Sequence, residues 1–503
     1  MKISAFLFNF LLSLYLFCIN ETMLGFIINK VDDNLSIFAL LFMYFFLILS
    51  AVSILCVCKI SRIIFTIILT LAAISSNYFM NNYSVVIDFD MLNNVISTDS
   101  REIKDLLSFK MFAYFSVNFI FVIIFLFAFK VKKNTFSVKI LNIILPLIIV
   151  CVIFFLNSRA ILPFLRANDN IRYYNVPFYQ IYAAYKLADF KLQSSKPLEK
   201  ISEDALIKDD DKSKILILVV GETARWANYS LGKYTKNDTN FYTKQESPYF
   251  FNNFYSCGTA TATSLPCMFS ISKREEFSKK ERYENVLSVL NRFIDVYWFD
   301  NNSGGCKGVC NGLKELQQSL DYDYWLVDKA KESLNNNKAK NLLIVLHLQG
   351  SHGPSYYLRY PKEFEKFTPT CKTSDFEKCS KEELINTYDN TIYYTDYIIY
   401  QLIQLLKESK ADVKSLFYLS DHGESLGEAG LYLHGFPYSI APDEQKHIPA
   451  LLWTNYDYIN KDKLNYSLSQ DNLFSSLLGF FNIQTKDYEE NYDIFSKNLG
   501  ENE

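Results

Sequence analysis

The first third of the chain is dominated by apolar residues, gathered into five runs: Ile3 to Asn20, Leu35 to Cys58, Ile63 to Met80, Phe112 to Val131 and Ile140 to Asn157. Each approaches the roughly 20 residues that carry a helix across about 30 Å of hydrocarbon, so the pattern predicts five membrane spans. The first run follows Lys2 as the core of a secretory signal would, but no small-residue cleavage site follows Asn20, and it is read as retained. Basic residues favour cytoplasmic connectors, and they concentrate between runs two and three (Lys59, Arg62) and between runs four and five (Lys130, Lys132, Lys133, Lys139). With Lys2 also inside, five crossings place the 81–111 connector and everything after Asn157 on the far side. The stretch FLRANDNIRYYNVPFYQIYAAYKLADFK mixes Tyr and Phe with Lys and Arg, a mixture suited to the headgroup zone. It predicts an interfacial helix and linker across 158–214.

From residue 215 the pattern changes to short apolar runs separated by helix-like segments. ILILVV (215–220), VYWF (296–299), LLIVLHL (342–348) and SLFYLS (415–420) read as strands buried on both faces, while 281–293 and LINTYDNTIYYTDYIIYQLIQLLKES read as helices. Such alternation predicts a mainly parallel α/β sheet. The organisation is therefore a membrane domain over 1–157, the interfacial segment over 158–214 and an extracytoplasmic α/β domain over 215–503. Ligands gather at the carboxyl ends of parallel strands. Glu222 follows ILILVV, Asp421 and His422 follow SLFYLS, and Gln349 to Gly353 follow LLIVLHL.

Histidine usage sharpens this picture. The chain of 503 residues has five histidines, all between His347 and His447. Glu222, Asp421, His422 and further histidines at one sheet edge form an oxygen and nitrogen ligand set suited to zinc. His347, inside a strand, and His447 are read as packing residues. Beside this set, SCGTATATSLPCMFS (256–270) carries hydroxyls into what reads as a helix N-terminus, a place that favours phosphate. A hydroxyl brought to a metal becomes a competent nucleophile, and Thr259, Thr261, Thr263 and Ser264 are all candidates.

Six of ten cysteines fall as near neighbours, predicting local bridges Cys257–Cys267, Cys306–Cys310 and Cys371–Cys379 in an oxidising compartment. No paired CxxC spacing supports a zinc-thiolate alternative. Fifty-one basic against 54 acidic residues give a net charge of −3, with the signs interspersed, and nothing points to a nucleic-acid partner.

The motifs GETAR (221–225), SCGTxTxxSxPCMF (256–269), GSHGP with a following YP, and SDHGES (420–425), behind five spans, resemble the phosphoethanolamine transferases of Gram-negative bacteria. That family includes lipid A modifying and mobile colistin-resistance enzymes. The resemblance covers essentially the whole chain and implies an α-helical transmembrane domain of five spans followed by an α/β/α soluble domain of the alkaline phosphatase and sulfatase type. It implies that Glu222, Thr261, Asp421 and His422 surround a zinc ion and that Thr261 carries the transferred group. His352 and His434 match histidines that contact the substrate phosphate or a second zinc, with a general acid or base role. Asn302, Ser303 and Lys307 match phosphate contacts. In the 81–111 connector, Asn94, Thr98 and Glu102 recur at i, i+4 and i+8, one stripe of a helix, and match contacts to the ethanolamine head group.

The implied reaction is zinc-dependent transfer of phosphoethanolamine from phosphatidylethanolamine to lipid A, lipooligosaccharide or another envelope glycan, through phosphothreonine and with release of diacylglycerol. The expected setting is a monomer in the bacterial inner membrane with its catalytic domain in the periplasm. A sulfatase would need a C/S-x-P-x-R frame; Ser264, Leu265 and Pro266 begin it, but Met268 stands at the arginine position. A phosphoglycerol transferase shares the architecture and differs in the head group that reaches Thr261. A non-enzymatic membrane sensor predicts no covalent adduct.

Overall fold

The computed structural model describes residues 2–496 apart from 32, 84, 98–106, 194–197, 209, 279–282, 314, 320–321 and 457–459. The chain divides into two compact units, Met1–Leu92 with Leu107–Ala188, and Asn93–Leu106 with Asp189–Glu503.

In the first unit, Asn34–Leu55, Lys59–Tyr83, Phe109–Ala128 and Phe136–Leu156 are each long and apolar enough to cross a membrane. The first expected span differs. Ala5–Ile19 stops at Asn20 and Glu21–Lys30 continues at a bend of 65°, so the described residues hold five candidate spans only if this pair is one broken span. Asn20 explains the break. Its side-chain oxygen accepts the Met23 N–H and starts the second helix, while its amide donates to the Tyr44 hydroxyl at 2.6 Å and the Tyr174 carbonyl at 2.9 Å. Residues expected in the 21–34 connector are thus mostly helical, with Glu21 in a first turn that favours negative charge. Phe109, Phe127 and Phe155 are more than four-fifths exposed, as lipid-facing side chains would be. The expected interfacial segment contains two helices, Ser158–Ala167 and Phe178–Gln193, around a 3₁₀ turn at Asp169–Tyr174.

The second unit is built on seven strands: β1 (Lys214–Gly221), β2 (Tyr249–Phe250), β3 (Asp295–Asp300), β4 (Glu315–Gln318), β5 (Asn341–His347), β6 (Val413–Ser420) and β7 (Ala450–Thr454), in the order β2-β7-β6-β1-β5-β3-β4. β6, β1, β5, β3 and β4 are parallel, and β7 and β2 close one side antiparallel. The four apolar runs are the central strands. The other three escaped the hydropathy pattern because β2 has two residues, β4 reads ELQQ and β7 reads ALLWT, each too short or too polar to stand out.

Alternate side chains of the central strands feed two cores. Leu216, Leu218, Val220, Leu343 and Val345 pack with Leu265, Leu287 and Leu477 from the helices Thr261–Met268, Val286–Leu290 and Leu473–Phe480. Ile217, Val219, Ile344 and Leu346 pack on the other face against Tyr324–Asn336 and Lys381–Glu408. The long helix begins at Ser380, whose hydroxyl and Glu383 make reciprocal caps. All three short-range bridges are formed, with Cα separations of 6.0 Å (Cys257–Cys267), 5.8 Å (Cys306–Cys310) and 5.6 Å (Cys371–Cys379). Leu402 lies fully buried on the long helix, so Leu402→Ala is expected to cost about 2–5 kcal/mol, read as a lowered midpoint for thermal unfolding of the purified full-length chain.

Candidate functional site

Strand register assembles the site before any loop geometry is considered. Asp300 pairs with His347, His347 with Val220 and Val220 with Leu419, forming one row across β3, β5, β1 and β6. Two residues further on lie Asn302, Gln349, Glu222 and Asp421, all at the carboxyl edge. Glu222 and Asp421 therefore leave adjacent parallel strands at the same level. The turn after β1 is tight, with Thr223 at a φ of 58°. Its N–H donates to Asp421 Oδ1 at 3.0 Å, and Tyr388 brackets the turn by donating to the Thr223 carbonyl and accepting the Arg225 N–H.

Glu222 is the hub. Its Oε1 accepts from Thr223 Oγ1 at 2.5 Å and His352 Nδ1 at 3.1 Å, and its Oε2 accepts from Asn302 Nδ2 at 2.6 Å. The Thr261 hydroxyl, at the first position of the helix Thr261–Met268, lies 3.2 and 3.1 Å from the two oxygens and 3.4 Å from His422 Nε2. Among the four hydroxyl candidates the contacts differ. Thr259 Oγ1 donates to the Phe436 carbonyl, Ser264 Oγ is buried without a hydrogen-bond partner among the described residues, and Thr263 packs on Gly258.

The charge balance is unusual. Burial, and then the Glu222 charge, push the Asp421 carboxyl up to about 6. Burial also works against ionised Glu222, but hydrogen bonds from His352 and His422 outweigh it and hold this carboxyl well below its ordinary range. Burial disfavours the His422 cation, yet Asp421 and Glu222 together raise it to about 9.

Three features fit a divalent cation. Glu222, Asp421 and His422 offer ligand atoms within 4.8 Å of one another. Asp421 Oδ2 is fully buried without a hydrogen-bond partner among the described residues, although His422 Nε2 is 3.3 Å away. His422 Nδ1 faces the Gly423 carbonyl at 2.9 Å, so its proton belongs there and Nε2 is turned toward the carboxylates. The set of two carboxylates, one imidazole and one hydroxyl suits a four-coordinate ion.

His434 flanks the cluster, its ring 4.3 Å from that of His422 and 5.8 Å from that of His352. Glu424 holds its Nδ1 at 2.8 Å, and Tyr356 donates to the other Glu424 oxygen. Ser303 donates its N–H to Gln349 Oε1, and Asn302, besides Glu222, bonds the Leu348 carbonyl. Lys307, at a φ of 49°, lines a cavity of 340 Å³ that also touches Ala262. Asn94 accepts the Ala262 N–H at 3.2 Å, next to Thr261; Thr98 and Glu102 lie outside the described residues. His447 is stacked between Trp226 and Tyr255, and His347 is buried in β5.

Sequence reasoning missed several supporting residues. Glu424, in SDHGES, and Arg225, in GETAR, were inside recognised motifs but received no role. Arg225 is buried, pairs with Glu428 at 2.8 Å and donates to the Glu424 carbonyl at 3.3 Å, bracing the segment that leads to His434. Gln470 donates to the Ser420 and Asp421 carbonyls from a distant loop that no local signal marks.

Fold and site together define a membrane-anchored, metal-dependent enzyme of the alkaline phosphatase and sulfatase type. Residues 214–483 match the family model described as Sulfatase, and residues 41–192 match Phosphoethanolamine transferase EptA/EptB. Phosphoethanolamine transferase EptA of Escherichia coli K12 is 38% identical over 458 residues, covering 84% of this chain and 83% of that one. Full-length lipooligosaccharide phosphoethanolamine transferase A of Neisseria meningitidis superposes with a TM-score of 0.91, at 29% identity over 98% of each chain. The periplasmic domain of EptC from Campylobacter jejuni is 57% identical, with a TM-score of 0.59, covering 61% of this chain and all of that domain. The chain belongs to the phosphoethanolamine transferase family and is a multi-pass membrane transferase.

His422 is protonated at pH 7 without an ion, because its pKa lies near 9, and must release that proton to ligate through Nε2. Divalent-ion binding is therefore expected to release about one proton at pH 7 and to tighten as pH rises toward 9. Calorimetry in two buffers of different ionisation enthalpy measures the release; equal apparent enthalpies would contradict it.

Proposed function

We propose that the protein transfers phosphoethanolamine from phosphatidylethanolamine to lipid A, lipooligosaccharide or another envelope glycan, through a phosphorylated Thr261, and releases diacylglycerol. One observation carries this reading: Thr261 Oγ1 is buried within 3.4 Å of Glu222 and His422, at the carboxyl edge of a phosphatase-type sheet. The resident ion is proposed to be zinc on Glu222, Thr261, Asp421 and His422, where it would acidify the Thr261 hydroxyl and offset charge on the phosphoryl oxygens.

Thr261 Oγ1 gives up its proton to solvent and attacks the donor phosphorus, the bond from phosphorus to the glycerol oxygen breaks, and that oxygen takes a proton. We assign the proton to His434, because Glu424 fixes its Nδ1 and leaves Nε2 for the substrate. In the second half-reaction, an acceptor hydroxyl or phosphate attacks phospho-Thr261, His434 takes the proton that the attacking oxygen gives up, and Thr261 Oγ1 leaves and regains a proton from solvent. His352, which bonds Glu222 through Nδ1, is proposed to contact the substrate phosphate or a second zinc. Asn302, Ser303 and Lys307 are proposed phosphate contacts, and Asn94, Thr98 and Glu102 contacts to the ethanolamine ammonium. The membrane helices would keep the domain among its lipid substrates, in the inner membrane with the catalytic unit in the periplasm and the protein acting as a monomer. The name of the Neisseria relative, which specifies lipooligosaccharide, supports the acceptor class. Adding an ammonium to an anionic phosphate weakens attraction for cationic peptides, so polymyxin tolerance in the host is an expected consequence.

Intact mass spectrometry of the purified chain after exposure to phosphatidylethanolamine is expected to show a gain of one phosphoethanolamine. Thr261→Ala should carry no adduct and reduce transfer to the uncatalysed background. An adduct surviving in Thr261→Ala would overturn the nucleophile, and a phosphoglycerol adduct formed from phosphatidylglycerol alone would favour the rival transferase.

A further inference from the structure

β5 reads NLLIVLH, and its last residue is the anomaly. His347 is fully buried on the same sheet face as Leu343 and Val345. Nδ1 lies 3.2 Å from Asp300 Oδ2, while Nε2 has no hydrogen-bond partner among the described residues. A leucine would fill this position without stranding a ring nitrogen, and a buried polar atom left unmatched costs free energy. The histidine is therefore explained by what its Nδ1 side does.

Asp300 carries the connection forward. It is almost fully buried at the end of β3; Oδ2 also accepts Trp298 Nε1 at 2.8 Å, and Oδ1 accepts the Asn302 N–H at 2.9 Å. That last bond turns the chain at the strand's end and aims the Asn302 amide at Glu222 Oε2, 2.6 Å away. The His347 carbonyl steadies the same turn by accepting the Asn301 N–H at 2.8 Å. An unbroken series of contacts therefore runs from His347 through Asp300 and Asn302 to the hub carboxylate. Glu222 meets Thr223, His352, Asn302 and Thr261 with its two oxygens.

We propose that His347 and Asp300 form a buried positioning pair that, through Asn302, sets the rotamer of Glu222 and with it the affinity of the metal site. Neither residue touches substrate or ion. The inference rests on the metal reading given above and extends it to His347, which the sequence suggests is a packing residue, and to Asp300, to which the sequence assigns no role.

The test compares zinc affinity in the full-length, detergent-purified chain, by competition with a chromophoric chelator, and follows adduct formation and unfolding of the zinc-free protein in parallel. His347→Leu is expected to weaken zinc binding about 10- to 100-fold, as loss of an outer-shell partner does. His347→Asn, whose amide nitrogen falls where Nδ1 lies, should recover most of that loss. Asp300→Asn should weaken zinc binding similarly, and the double variant His347→Leu with Asp300→Asn should be little worse than either alone; Asp300→Asn also serves if His347→Leu does not fold. Unaltered zinc affinity in the folded variants, or His347→Asn as impaired as His347→Leu, overturns the positioning role. Failure of the wild type to bind zinc overturns the metal reading itself, and is visible in that arm alone.

Discussion

Two carboxylates buried side by side impose the constraint on which the catalytic unit depends. Glu222 and Asp421 leave neighbouring parallel strands at one level, with ligand atoms within 4.8 Å and no access to bulk water. Unit charges at that spacing repel by roughly 3–4 kcal/mol at an effective dielectric of 20, before desolvation is counted. Such a pair persists only where positive charge is fixed beside it. Without an ion the protonated His422 and the hydrogen bond from His352 offset that charge, and a divalent ion between the carboxylates and His422 Nε2 would take the place of the His422 proton. The instability of the arrangement without cations is what gives it affinity for one.

Much of the surrounding fold serves this pair. β1 and β6 lie at the centre of the sheet, where both faces are covered and register is secured by Leu218, Val220, Phe417 and Leu419 in one core and Ile217, Val219, Leu416 and Tyr418 in the other. Gly350, at a φ of 51°, lets its loop lie against the Glu222 backbone, where a Cβ would come within 2.8 Å of the carbonyl oxygen. The segment that carries Thr261 is held by the Cys257–Cys267 bridge, which ties the residues before its short helix to the end of that helix. Thr259, bonded through its hydroxyl and carbonyl to Phe436 and Gly435, links it to the segment carrying His434. Arg225 braces the same segment from beneath.

The residues legible in the sequence were those whose signal is local. Apolar runs revealed the four central strands, and their endings located Glu222, Asp421 and His422 at one edge. Cysteine spacing revealed the three bridges, and motif resemblance gave the family. Less was visible where the signal is tertiary. The break at Asn20 depends on Tyr44 and Tyr174 completing its hydrogen bonds, and a lone asparagine in an apolar run does not announce that. Edge strand β2 is only Tyr249 and Phe250, and β4 reads ELQQ, so neither forms an apolar run long enough to stand out. His347 read as packing because a strand histidine usually is; its link to Glu222 passes through two residues of another strand's end. Gln470 braces the Asp421 turn from about fifty residues away, a relation only the fold creates.

The central claim is that Glu222, Asp421, His422 and the Thr261 hydroxyl enclose one zinc ion. Diffraction from crystals of the full-length protein grown with zinc, with data on both sides of the zinc absorption edge, tests it most directly. A single strong anomalous peak within bonding distance of those four side chains is the expected result. No peak there, with Glu222 still hydrogen-bonded to His352 and Asn302 and zinc bound elsewhere, would contradict the account.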